Sequence, residues 1–222
     1  SAYNIPLALR LKGKINEEAL QSAIDTVVNR HEILRSNYVT DNGQATVKIQ
    51  PSISVELEKI SLFDLDKQQR QSKTIELAQQ HAVHHFNLQT GSLIQVALAE
   101  FSKTDHVLLV NMHHIITDAW SAKILITELT IAYHHFLTHS DGQTLALPDL
   151  AIQYSDYAYW QQQFLSGEEL DKQLSYWKKQ LNNRPAVLNF PYDHPRPKVF
   201  TTNGNHINFQ LPEKLSQQLQ QL

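Results

Sequence analysis

Residues Met112 to Ser121 read MHHIITDAWS, two adjacent histidines with an aspartate four residues past the second. An imidazole titrates near neutral pH and can take a proton from a nucleophile. The pair ends an apolar run, HVLLVNMHHI, that reads as a strand covered on both faces. Side chains alternate along a strand, so His113 and His114 must point to opposite faces. One ring can meet a substrate while the other is pushed into the fold. After Asp118 the hydrophobic period changes and a helix begins. Its first turn aims backbone N–H groups, those of Ala119 and Trp120 among them, beside the histidine. A base next to such donors suits acyl transfer, the donors steadying an oxyanion.

Two other readings compete. On pattern alone, a buried histidine pair is more often structural than catalytic. A metal site is the third reading. His81, His84 and His85 recur at helical spacing, as do His135 and His139. These positions flank a buried stripe and no carboxylate completes a ligand set, so no metal is expected.

Other elements must position this stretch. IPLALRLKG alternates, with Leu7, Leu9 and Leu11 on one face and Ala8, Arg10 and Lys12 on the other, as a half-buried strand does. Asn16 suits a helix N-cap, with Glu17 and Glu18 in the first turn and Leu20, Ile24, Val27 and His31 at helical spacing. ATVKIQ and ISVELEKI read as short strands around Pro51-Ser52. Asp64 or Asp66 caps a second helix, whose buried stripe is expected at Ile75, Ala78, Ala82 and Phe86. SLIQVALAEF and HVLLVNMHHI are expected as central strands with helices on their faces. Ala122, Leu125, Leu129, Ala132 and Phe136 mark the helix after Asp118. SDGQTLALPDL reads as a loop, YSDYAYWQQQFL and LDKQLSYWKKQL as helices, NFPYDHPRPKVF as extended and GNHINFQL as a strand. LPEKLSQQLQQL reads as a helix start, as in a fragment of something longer. The order of elements predicts an α/β fold of the α+β two-layer sandwich type, its mixed and largely antiparallel sheet flanked by helices.

Composition excludes several classes. The 222 residues carry a net charge of -3, which makes no electrostatic case for nucleic acid or an anionic membrane. No apolar run approaches the roughly 18 residues of a membrane span, and the SAYNIPLALRL start does not read as a signal peptide. Without cysteine there are no disulfides or thiolate zinc sites. A cytoplasmic location fits.

These stretches together resemble the condensation domains of nonribosomal peptide synthetases. That family's core motif, M-H-H-x-x-x-D-G followed by Trp or Val and Ser, is matched by MHHIITDAWS. Its R-H-E-x-L-R motif is matched by RHEILRSNY, Arg30 to Tyr38, and its Y-x-D-Y-A-x-W motif by YSDYAYW, Tyr154 to Trp160. YNIPLALRLKGKIN and FPYDHPRPKVF are similar to family segments too. The motifs keep the family's order and spacing, and the likeness covers essentially the whole chain.

The resemblance implies a chloramphenicol acetyltransferase-like fold. It implies an N-terminal lobe over residues 1–190, and a connection with the start of a truncated C-terminal lobe over 191–222. In the family two lobes enclose a tunnel, where donor and acceptor peptidyl carrier proteins present substrates on phosphopantetheine arms. No cofactor is bound directly, and an adenylation domain is an expected neighbour. One lobe does not enclose the tunnel, so the isolated chain is expected to be inactive. By resemblance His114 belongs to the reaction centre and His113 is its inward, structural partner. Asp118 is structural and pairs with an arginine, for which Arg30 and Arg35 are the candidates. Tyr154 and Trp160 are packing residues. The chain departs from the family at Ala119, where glycine is usual, and at His85, where proline is usual. A docking module without catalysis and a coenzyme A-dependent acyltransferase are the alternative functions.

Overall fold

The computed structural model describes residues 3–139, 145, 147–195, 197–199, 207 and 209–222. Its elements are β1 (Asn4–Lys12), α1 (Glu17–Arg30), a 3-10 turn (Glu32–Arg35), β2 (Ser36–Asp41), β3 (Gln44–Ile49), β4 (Leu57–Ser61), α2 (Lys67–Ala82), β5 (Ile94–Ser102), β6 (Asp105–His113), α3 (Ala119–Thr138), α4 (Tyr154–Phe164), α5 (Gly167–Gln180) and α6 (Glu213–Gln220). Tyr3–Gln180 form one compact unit and Leu181–Leu222 a second, so the division expected at 190 lies inside the second. Described residues between Leu181 and Pro212 form no helix or strand.

Four strands form a mixed sheet in the order β1-β6-β5-β4. β6 pairs antiparallel with both β1 and β5, and β4 runs parallel to β5. The two longest apolar runs are therefore the central strands. α1 and α3 cover one face, where Leu20, Ile24, Val27, Leu125 and Ala132 meet Val96, Leu98, Leu108 and Val110. α2 covers the other, with Leu77 against Ala97, Ala99 and Leu109. Each large aliphatic side chain so buried contributes about 1.5–3 kcal/mol. This is the α/β architecture of mixed, largely antiparallel sheet and flanking helices that the sequence predicts. Asn16 caps α1 as expected, its Oδ1 accepting from the Ala19 N–H at 3.0 Å.

The structure shifts part of the expected α2 stripe. Ala78 is half-buried against the core and Phe86 packs on it from past the helix end, but Ile75 is 53% exposed, and Leu77 and His81 are the most buried of the described helix residues. Asp66 is the cap, in a reciprocal box with Gln69. The far end of α2 is held by amides from the sheet. Asn4 Nδ2 donates to the Ala82 carbonyl at 2.8 Å and the His84 carbonyl at 2.7 Å. Asn111 Nδ2 donates to the His81 carbonyl. These bonds satisfy acceptors that a helix C-terminus leaves orphaned.

A strand missed from sequence is β2, which pairs with β3 in a separate hairpin. Its turn residues Asn42 (φ 50°) and Gly43 (φ 79°) are both left-handed. That is the geometry of a two-residue turn that keeps the strand twist. Of the strand expected at 204–211, the described residues 207 and 209–211 are not in a strand and the rest lie outside the described residues; of the loop expected at 140–150, residues 145 and 147–150 are described and form no helix or strand. No helix among the described residues is long and apolar enough to cross a membrane.

His81 is buried with no hydrogen bond to either ring nitrogen, and Glu58 Oε2 lies 4.0 Å from Nε2. Burial pushes its pKa below the ordinary value, against an opposing pull from Glu58 and with some help from His84. A lowered histidine favours the fold while neutral, so its contribution is present above the unfolded pKa of about 6.5 and fades as pH falls below it. We therefore predict that acidification from neutral pH destabilises the protein more than it does the His81→Leu variant, measured by urea unfolding across that window.

Candidate active site

β6 carries the histidine pair to the sheet edge, and the neighbouring strands anchor it there. The His113 N–H donates to the Leu93 carbonyl at 3.0 Å, and the His114 N–H to the Tyr3 carbonyl at 2.7 Å. The chain then turns. Ile116 N–H donates to the His113 carbonyl at 3.0 Å, and Ile115 N–H to His113 Nδ1 at 3.1 Å. The His113 ring is half-buried, stacked against Tyr3 at 5.9 Å and edge-on to Phe86 at 6.3 Å. Burial first, and the neighbouring His114 second, hold its pKa below the ordinary histidine value. His114 is exposed. The two rings thus differ in surroundings, one half-buried at the end of β6 and the other exposed in the turn that follows.

Asp118 caps α3. Its Oδ1 accepts from the Ser121 N–H at 2.8 Å and the Ser121 hydroxyl at 2.7 Å. These bonds, with a lesser one from the Trp120 N–H, hold the carboxylate below its usual pKa. The cap therefore takes donors of the first turn and places a negative charge there. Ala119 N–H has no hydrogen-bond partner among the described residues. Ala119 opens the helix and is not among the residues with positive φ, so alanine adopts this backbone without strain. Trp120 is 81% exposed. Beside the turn, Ile33, Leu34, Met112, Ile116, Thr117 and Ser121 line a cavity of about 100 Å³.

The condensation domain family model matches residues 1–222. The chain belongs to that family. It is 38% identical to a linear gramicidin synthase component of Brevibacillus parabrevis over 96% of its length, and spans 4% of that relative. It is also 38% identical to malpinin synthetase of Mortierella alpina, over 99% of its length and 3% of the relative. Among solved structures it resembles the X-domain from teicoplanin biosynthesis, solved in complex with OxyB. That likeness has a TM-score of 0.77 and 27% identity, and covers 89% of this chain and 42% of the X-domain chain. The chain is therefore a condensation domain segment of the nonribosomal peptide synthetase type, with the sheet and helices of that family.

Among the described residues the expected pair of Asp118 with Arg30 or Arg35 is not formed. Arg30 reaches Glu128 at 3.3 Å and donates to the Pro148 carbonyl. Arg35 lies 3.8 Å from Glu32 and donates to the carbonyls of Asn29 and Gln50. Arg30 thus reaches from the end of α1 to α3 and the segment before α4, while Arg35 reaches from the turn to the end of α1, to Gln50 past β3 and to its own Glu32. In this condensation domain the RHEILR segment is a scaffold hub. His31 Nε2 meets Glu128 Oε2 at 2.7 Å, the Glu32 N–H donates to Gln153 Oε1 at 3.1 Å, and Ser155 Oγ donates to Glu32 at 3.0 Å. The hub ties α1 to α3 and to the start of α4.

Tyr154 and Trp160, expected as packing residues, are 56% and 53% exposed. Their rings meet neighbours along the helix, Tyr154 tilted against Tyr157, Tyr157 tilted against Trp160, and Trp160 stacked on Phe164. Sequence reasoning missed Tyr3 and Phe86 around His113. It also missed Tyr38, whose hydroxyl donates to the Ile115 carbonyl at 3.2 Å. Their aromatic type was visible, but nothing in their spacing linked them to residues 113–115. Among the described residues no three His, Cys, Asp or Glu side chains gather where a metal could bind. His135 and His139 stack at 4.8 Å.

Glu128→Ala leaves the half-buried Arg30 and His31 without their acceptor and is expected to cost about 2 kcal/mol in urea unfolding. Asp118→Ala removes a cap whose carboxylate pKa is lowered. That stabilisation is complete above the unfolded value of about 3.9 and disappears as pH falls through the lower native value. Thermal melts of wild type and Asp118→Ala should therefore differ at neutral pH and converge in acid.

Proposed function

We propose that residues 1–190 are the N-terminal lobe of a domain that forms an amide bond between two carrier-bound substrates. An acceptor aminoacyl thioester and a donor acyl or peptidyl thioester arrive on phosphopantetheine arms of their carrier proteins. The observation that carries this reading is the exposed His114 ring on a backbone pinned to the starts of β1 and β5. The acceptor amine attacks the donor carbonyl carbon, the new C–N bond forms, and the C–S bond breaks. His114 takes the proton that the amine loses, and the departing sulfur receives one. An α-amine with a pKa of about 7.7–8.0 is already partly neutral at pH 7, so the base accelerates the step without being its sole source. Ala119 N–H is the donor left for the oxyanion, since Asp118 holds those of Trp120 and Ser121.

In this reading residues 191–222 lead into a C-terminal lobe that closes the tunnel. An adenylation domain is a neighbour and the assembly is cytoplasmic. A second reading, a docking module, is favoured by the likeness to the X-domain in its complex with OxyB. Amide formation by the complete two-lobed domain decides between them. His114→Ala is expected to lower kcat by about 10²–10⁴-fold. Product from the wild type with an unchanged rate in His114→Ala would remove His114 from the mechanism. Absence of product from the wild type would leave docking.

A further inference from the structure

We infer that His113 is a positioning residue: its neutral ring, protonated at Nε2 and accepting at Nδ1, locks the turn that displays His114, and Phe86 and Tyr3 hold that ring. The role of His114 rests on the function proposed above; the state of the His113 ring does not. β6 ends at His113, and the next three residues must turn sharply into the lead of α3. Each backbone N–H from residue 113 to residue 116 has a partner, and three of the four bonds involve His113 itself. Its N–H goes to Leu93, its carbonyl accepts from Ile116, and its Nδ1 accepts from Ile115. The bond from a side chain to the N–H two residues on is the one that Asx side chains make in turns.

An imidazole accepts at Nδ1 only when that nitrogen carries no proton. The neutral ring must then hold its proton on Nε2, and an imidazolium forfeits the bond altogether. The same ring stacks on Tyr3, whose carbonyl accepts from the His114 N–H at 2.7 Å. On its other side stands the edge-on Phe86, itself 4.7 Å from His84. Phe86 follows α2, whose end is fastened by Asn4 and Asn111. A chain of contacts thus runs from the α2 docking point to the turn. A misplacement of about 1 Å at a reacting group costs about 100-fold in rate, which sets the effect expected when the lock is lost.

Nitrogen NMR of this chain with ring-labelled histidine, at pH 7, tests the first part. His113 should show a bare Nδ1 and a protonated Nε2, its signals assigned by their loss in His113→Asn. A protonated Nδ1, or averaging between tautomers, overturns the proposal. In Phe86→Leu the single tautomer should be lost and the Ile115 amide should exchange faster. Unchanged signals overturn the part given to Phe86.

The second part is read in the complete two-lobed domain. His113→Leu should lower kcat by about 100-fold with KM unchanged, and His113→Asn, whose amide oxygen can accept from Ile115, should recover most of the loss. Equal kcat in His113→Leu and wild type overturns it. Should His113→Leu fail to fold, Phe86→Leu carries the same comparison of kcat with KM. A wild type that forms no amide sinks the proposed function alone, and the tautomer still decides the lock.

Discussion

A strand covered on both faces can free its last side chains only where it runs out of sheet. β6 meets that constraint. Seven consecutive residues, His106 to Met112, are buried, and the chain emerges only at His113 and His114. Because neighbouring strands pair with β6 on both sides, the emerging backbone still has partners. Leu93 and Tyr3 supply them from the starts of β5 and β1. The exposed His114 side chain is thereby carried by backbone tied to both neighbouring strands, and groups held on strands are placed with more precision than groups on loops.

The motifs around that strand divide the labour. Arg30, His31 and Glu32 converge on Glu128, Pro148, Gln153 and Ser155. A charge cluster of this kind holds helices in register because each half-buried ion has an acceptor or donor waiting for it. Asp118 works locally instead, as a cap. It satisfies the start of α3 and at the same time competes with any other anion for the positive end of that helix. The RHEILR segment thus serves as scaffold, and the MHHIITDAWS segment leaves one imidazole exposed beside a capped helix start.

The limits of sequence reading are specific. The α2 stripe is misplaced from sequence because Ile75 and Leu77 are both aliphatic, and periodicity alone does not say which faces Ala97 and Ala99. β2 is not legible although Asn42-Gly43 is a strong hairpin signal, because Ser36–Asp41 is mostly polar and carries no apolar alternation. The arginine assigned to Asp118 rests on family likeness. Arg30 and Arg35 instead find carboxylates and carbonyls on or near their own elements, as well as Glu128 on α3. Tyr154 and Trp160, read as packing residues of their motif, contact the rings of Tyr157 and Phe164 along α4 and keep large exposed faces.

Local rules were enough to settle the alternation of β1, the Asn16 cap and the doubly covered central strands, and they narrowed the α2 cap to Asp64 or Asp66. All of these depend on periods and on capping chemistry that a short segment carries within itself. Tertiary structure alone decided what surrounds the His113 ring, which carbonyls Asn4 and Asn111 serve, and where Arg30 ends. Those partners lie up to 118 residues apart along the chain. Only the assembled sheet brings them within hydrogen-bonding reach, and spacing within a segment holds no record of such a meeting.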